Sequence, residues 1–144
     1  MKTFAFAAAA AAVAFAMPAA AQNAPVLPGE YVEVSQITID DGHDVDYANF
    51  LAGKWRAQEE FAKAQGWINS YEILANVNKR AGEPDLYLVI RYKSLPDAVE
   101  QARRDEIVRA HLKLTDSQMS AESGERAKYR HVIGSTLLQK LNFR

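Results

Sequence analysis

The sequence predicts an α+β fold built on one four-stranded antiparallel sheet that carries helices, and three observations support that expectation. Segments rich in β-branched and aromatic residues alternate with segments of helical periodicity, in the order strand, helix, strand, strand, helical region, strand. Helix start and stop residues stand where the helical patterns begin and end. The composition, 49% hydrophobic with no cysteine and a formal net charge of -1 over 144 residues, is that of an ordinary globular domain. It excludes a disulfide scaffold, a collagen-like repeat and an acidic or basic polyelectrolyte.

The first strand is expected over 31–39 (YVEVSQITI), too short for a helix and rich in residues that suit a pleated surface. A turn cluster, Asp40-Asp41-Gly42-His43-Asp44-Val45-Asp46, follows, and its last aspartate is placed to cap a helix over 47–65. In that helix Tyr47, Leu51, Trp55, Phe61 and Ala62 form one apolar stripe with Phe50 beside it, and Gly66 marks the stop. Strands over 67–77 and 86–93 flank a loop with Gly82 and Pro84 and are expected to pair as a hairpin. Ser94-Leu95-Pro96-Asp97 fits a capping box for a second helix with Leu95, Ala98, Val99 and Ala102 on its buried side. The stripe resumes at Ile107, Ala110, His111 and Leu114 displaced by about one residue, which predicts a bend between 103 and 106. Thr115-Asp116-Ser117-Gln118 starts a further polar helix over 117–130, weakened by Gly124, and the last strand is expected over 132–143.

Two βαβ-type units sharing a hairpin, with right-handed crossovers, place both helical segments on one face of the sheet. The expected architecture is a ferredoxin-like βαββαβ sandwich with an extra helix before the last strand. Its outer face should be polar in a monomer, yet apolar residues project from both faces. Strand three sends Leu86, Leu88, Ile90 and Tyr92 one way and Tyr87 and Val89 the other; strand four sends Ile133, Leu137, Leu141 and Phe143 one way and Val132 and Leu138 the other. Sheets apolar on both sides are covered on both sides, so a two-fold homodimer is expected.

Element order, the stretch YLVIRYKSLPDAVEQ leading into a capped helix, and the late strand STLLQKLNF together resemble the dimeric α+β barrel superfamily. Its members include stress-responsive barrel proteins, antibiotic-biosynthesis-monooxygenase-like domains, related isomerases and haem-handling enzymes. The resemblance spans 30–143 and implies the fold, the dimer and a pocket between sheet and helices. It implies no catalytic residue at a numbered position.

The N-terminus carries the three parts of a secretory signal: Lys2, an apolar run over 4–17, then Pro18 with Ala19, Ala20 and Ala21. Cleavage before Gln22 leaves 123 residues with a net charge of -2 and places the product in the periplasm or outside the cell. Residues 22–29 read as an extended leader and 30–144 as the single domain. No second long apolar run follows, and no cysteine stands at the new N-terminus to take a lipid, so no membrane anchor is expected after cleavage. Scattered Lys and Arg give no stripe to neutralise phosphates, which argues against nucleic acid as a partner.

Few residues offer chemistry. There is no G-x-S-x-G, H-E-x-x-H or Walker loop. His111, set in the resumed apolar stripe, is the candidate for proton transfer, and in a competing reading an axial haem ligand or a half-buried structural histidine. Trp55, Tyr71 and Tyr87 are candidate walls for a small, partly apolar ligand, with Lys54 or Arg91 meeting an anionic substituent. Tyr87 and Arg91 share a strand face that Tyr92 does not, so the three cannot line one pocket. The four aspartates around Gly42 and His43 suggest calcium, but Leu51 stands where an EF-hand's bidentate glutamate belongs, and turn formation explains them without metal. The expectation is an exported small-molecule-binding dimer, with or without activity as a cofactor-independent enzyme of monooxygenase or isomerase type acting on an aromatic or unsaturated compound. Its rivals are a haem-binding protein and a non-catalytic envelope assembly or stress protein.

Overall fold

The computed structural model describes residues 24–144, so the signal sequence expected over 1–21 lies outside the described residues. The described residues form an α+β fold with an open four-stranded antiparallel sheet and three helices. Strand β1 is Val26–Ile39; a helix follows as α1 (Asp44–Phe50), a π turn (Leu51–Trp55) and α2 (Arg56–Ala64) without interruption. Strands β2 (Ser70–Ala75) and β3 (Leu86–Tyr92) make the expected hairpin. Helices α3 (Ala98–Leu112) and α4 (Asp116–Arg126) precede β4 (Arg130–Phe143). The strand order is β2-β3-β1-β4, with β1 and β3 central and β4 at one edge. No helix among the described residues is long and apolar enough to cross a membrane.

Strand β1 starts at Val26, five residues before the expected Tyr31, because β4 offers it a partner that far: Val26 pairs with Phe143 and Pro28 with Leu141. The leader reading of 26–29 is corrected accordingly. A register shift between Pro28 and Tyr31 absorbs the proline, which has no donor to give the ladder. A second shift, between Gln36 and Ile37, makes Ile133 an extra residue in β4. Ile37 then opposes Val132 while Glu33 opposes Leu137, which puts Val132 and Leu137 on one face. The expected alternation along β4, with those two on opposite faces, is thereby overturned: one bulge inverts the parity of everything beyond it.

The core lies between β1, β3 and the first helix. Ile37, Tyr47, Leu51 and Trp55 are its buried members, with Ile39, Phe50, Tyr71, Leu86, Leu88 and Tyr129 packed against them. The first helix ends as expected: Gly66, at φ 72°, donates to the Lys63 carbonyl (2.9 Å), and Trp67 donates to that of Ala62 (3.0 Å). This pair of bonds satisfies carbonyls the helix leaves free, and the left-handed backbone it needs is open to glycine.

The second helical region departs from expectation in three respects. Asp97, not Ser94, is the N-cap of α3 and accepts from the Glu100 amide at 2.8 Å. Pro96 keeps Leu95 out of helical backbone, so the helix cannot start earlier. Helix α3 also runs without a break through 103–106 to Lys113, whose left-handed backbone (φ 54°) ends it. It docks through Arg104, set over the Trp67 ring at 5.3 Å, and through His111, stacked on Phe61 at 3.8 Å. Ala102 and Val99 precede Arg104 by two and five residues and lie about 160° and 140° round the helix from it. Val99 is accordingly 81% exposed, and Leu95, Ala98 and Ala102 are exposed as well. The expected buried side therefore faces outward. Helix α4 starts where expected, with Thr115 and Gln118 forming a complete capping box.

Candidate functional site

A groove of about 750 Å³ opens between the first helix and the β2 edge of the sheet. The geometry of the helix creates it. In a straight α-helix, three successive steps of four residues would carry the side chain about 120° round the axis. The π turn takes up one extra residue, so Tyr47, Leu51, Trp55 and Glu59 all keep to the sheet side. Tyr47, Leu51 and Trp55 are buried and form the roof, while Ile39, Ile73, Leu86 and the Tyr71 ring form the floor. Trp55 and Tyr71 meet edge to face, centroids 5.3 Å apart and planes at 88°. This arrangement suits their ring quadrupoles and holds both rings still.

Charged side chains rim the groove. Arg56, Glu60 and Lys63 line it from α2, Asp44 from the start of α1, and Glu72 from β2. Tyr71 donates its hydroxyl to Glu60, and that bond to a carboxylate raises the phenol's pKa, with Arg56 pulling the other way. Glu72 is held by Arg91 at 2.7 Å. Arg56 and Lys63 form no ion pair among the described residues and stand at the α2 side of the mouth, Arg56 also bearing on the Tyr71 hydroxyl.

Of the residues singled out from the sequence, Trp55 and Tyr71 come together here. Lys54 does not: it points to the other flank of the helix, pairs with Glu122 at 2.8 Å, and lines a shallower hollow with Phe50, Arg126 and Tyr129. Tyr87 and Arg91 stand on the opposite sheet face from Tyr71, as their parity requires. His111 is exposed, stacked on Phe61, and lines neither hollow. His131 is also exposed and meets Asp40 at 3.0 Å, while Asp46 meets His43 at 2.8 Å. No group of three metal-ligating side chains converges among the described residues.

The sequence reading passed over Arg56, Glu60 and Lys63. Their spacing, four then three residues along a helix edge beside Trp55, was the available signal. It also passed over Glu59, a carboxylate continuing the four-residue series of buried Tyr47, Leu51 and Trp55. Burial, with the nearby Glu33 carboxylate, pushes Glu59 up to about 7.

Comparison with known protein families, with curated proteins and with solved structures finds no match for this chain.

Proposed function

We propose that the mature chain is an exported small-molecule-binding protein that works as a homodimer, with the groove beside Trp55 and Tyr71 as its ligand site. The groove itself is the observation that carries this reading. Its volume suits a small organic ligand, its walls are apolar and aromatic, and a few polar groups converge at its mouth. The cations Arg56 and Lys63 favour a flat, apolar ligand ending in a carboxylate or similar anion, held at the α2 side of the mouth. They take the anchoring role first considered for Lys54 and Arg91, both of which are engaged elsewhere. Binding is proposed without a catalytic step, because the histidine suited to proton transfer lies outside the groove.

The strand order, with helical crossovers from β1 to β2 and from β3 to β4, supports a ferredoxin-like sandwich of the dimeric α+β barrel type. Dimerisation is supported by the apolar residues that β4 leaves exposed, among them Leu137, Leu138, Leu141 and Phe143. Export rests on the signal sequence over 1–21.

Thermal melting with a panel of aromatic carboxylates and their neutral alcohols tests the site. A true ligand at a hundredfold excess over its Kd stabilises the fold by about 2.7 kcal/mol, and Tyr71→Ala should abolish that gain. Quenching of tryptophan fluorescence by the same compounds, weakened in Arg56→Gln, checks the anchor. A protein used only for assembly would respond to its own concentration and to none of the compounds, which would refute the binding reading. Sedimentation checks the dimer, with Leu138→Lys expected to give single subunits.

A further inference from the structure

The groove beside Trp55 and Tyr71 reaches the margin of the sheet. Four successive residues of β2, Ser70 to Ile73, border it. Side chains alternate along a strand, so Tyr71 and Ile73 face the groove while Glu72 turns to the other face, where Arg91 holds it at 2.7 Å. Successive residues border one hollow only where it runs along the strand's open side, so the main chain of β2 is itself a wall. Strand β2 is an edge strand, with β3 as its neighbour. The Asn76 amide donates to the Asp85 carbonyl at 2.9 Å, in register with the pairing of β2 and β3, and this bond fixes the phase of the ladder. Ser70, Glu72 and Leu74 therefore direct their N–H and C=O groups to β3, and Tyr71, Ile73 and Ala75 direct theirs to the open side. Among the described residues no strand lies there.

The charges that line the groove differ from end to end. Ile37 of β1 and Ala75 of β2 both pair with Leu86, so the helix that begins at Asp44, just beyond β1, starts at the Ala75 end of β2. It finishes at Ala64, just before β2, which sets Arg56 and Lys63 toward the Ser70 end. Asp44, Arg56 and Lys63 form no ion pair among the described residues. We propose that the groove takes an extended peptide, added antiparallel to the open side of β2 as a fifth strand, with its C-terminal carboxylate at Arg56 and Lys63 and its amino end at Asp44. The inference rests on the groove being the ligand site and narrows the ligand to a peptide. Asp44 and Arg56 are twelve positions apart on one helix, about 18 Å at ~1.5 Å each. About five extended residues at ~3.4 Å cover that span. The strand's N–H and C=O groups would bind any sequence, and the apolar walls would select the side chains. Directly opposed residues of antiparallel strands share a face, so the peptide residues bonded to Tyr71 and Ile73 are the ones whose side chains enter the groove.

Calorimetric titration with the pentapeptide Ser-Phe-Ser-Val-Ser, both termini free, tests this. Methylating the Phe and Val amide nitrogens removes the two donors aimed at β2 and should cut affinity about tenfold or more, whereas methylating those of the third and fifth residues should leave it within about twofold. Amidating the C-terminus should weaken binding to the wild-type chain and have no further effect on Arg56→Gln. Ile73→Pro deletes a donor that points away from β3, a place where a strand tolerates proline, and should also weaken binding about tenfold. Should that variant fail to fold, the methylated peptides on the wild-type chain decide. Equal affinity of the two methylated peptides, or no binding of the parent peptide, overturns the proposal. So does a dimer that Ile73→Pro splits into single subunits, because the edge then belongs to a second copy. Aromatic carboxylates that bind where the peptide does not would sink the fifth strand alone. A peptide held through its backbone while no such compound binds would sink the small-molecule reading alone.

Discussion

Leu51 and Ile37 are both core aliphatic residues, 6% and 1% exposed, but they differ in what lies behind them. Leu51 lines the groove and Ile37 does not. Truncating either to alanine removes three carbons from an apolar setting, a loss of about 2.4 kcal/mol at ~0.8 kcal/mol for each. At Ile37 the space left behind is enclosed, and a residual cavity of roughly 60 Å³ adds about 1.5 kcal/mol at ~24 cal/mol per Å³. At Leu51 the vacated volume merges with a space that is already open, so the second contribution is absent. The expectation is about 4 kcal/mol for Ile37→Ala against about 2.4 kcal/mol for Leu51→Ala. Urea titration followed by tryptophan fluorescence measures both, provided the slope of the transition is unchanged and only the midpoint moves. At ~3–6 °C per kcal/mol for a chain of this size, the two melting temperatures should also fall by visibly different amounts. If Leu51→Ala costs as much as Ile37→Ala or more, Leu51 has no void beside it and the groove is not there in solution.

Two further outcomes follow from local geometry. Gly124→Ala, in α4 with nothing within 4 Å of the added carbon, should stabilise by up to ~1 kcal/mol, whereas Gly66→Ala, forced into left-handed backbone, should destabilise by about the same; thermal melts of the pair give opposite shifts. Asp85 is partly desolvated, but bonds from Lys79 (2.7 Å) and from the Ile39 amide (2.9 Å) outweigh that and lower its pKa. Its contribution is present above the ordinary value of 3.8 and is lost as pH falls through the lowered one, so Asp85→Asn should flatten the acid limb of the stability profile below about pH 4.

The parts of the fold that could be read in advance are those governed by neighbours along the chain. The hairpin of β2 and β3, the glycine stop at Gly66 and the Thr115 cap each rest on interactions spanning a few residues, and all three stand where the pattern put them. The errors arise where distant elements decide. Residues 26–29 become strand because of Leu141 and Phe143, more than a hundred positions away, and the parity of β4 turns on a bulge opposite Ile37. Helix α3 shows a plausible apolar side in Leu95, Ala98, Val99 and Ala102, but Phe61 and Trp67 determine which side docks. The site divides in the same way. Trp55 and Tyr71 were visible as aromatics on adjoining elements. Arg56, Lys63 and Glu59 acquired their positions from a π turn that no residue pattern announces, Gly53 within it being the sole local hint.

The first strand of the chain is also a central one, and its full-length neighbour is the last strand, with the Arg144 amide reaching back to the Pro25 carbonyl at 3.1 Å. Two segments about a hundred positions apart thus close the sheet together. Until residues 130–143 have been made, β1 lacks one flank and the antiparallel ladder cannot be completed. Such a long-range closure makes folding slow relative to a helical protein of equal length. A nascent chain of this design keeps one side of β1 unpaired until residues 130–143 have been made, more than ninety positions after β1 itself.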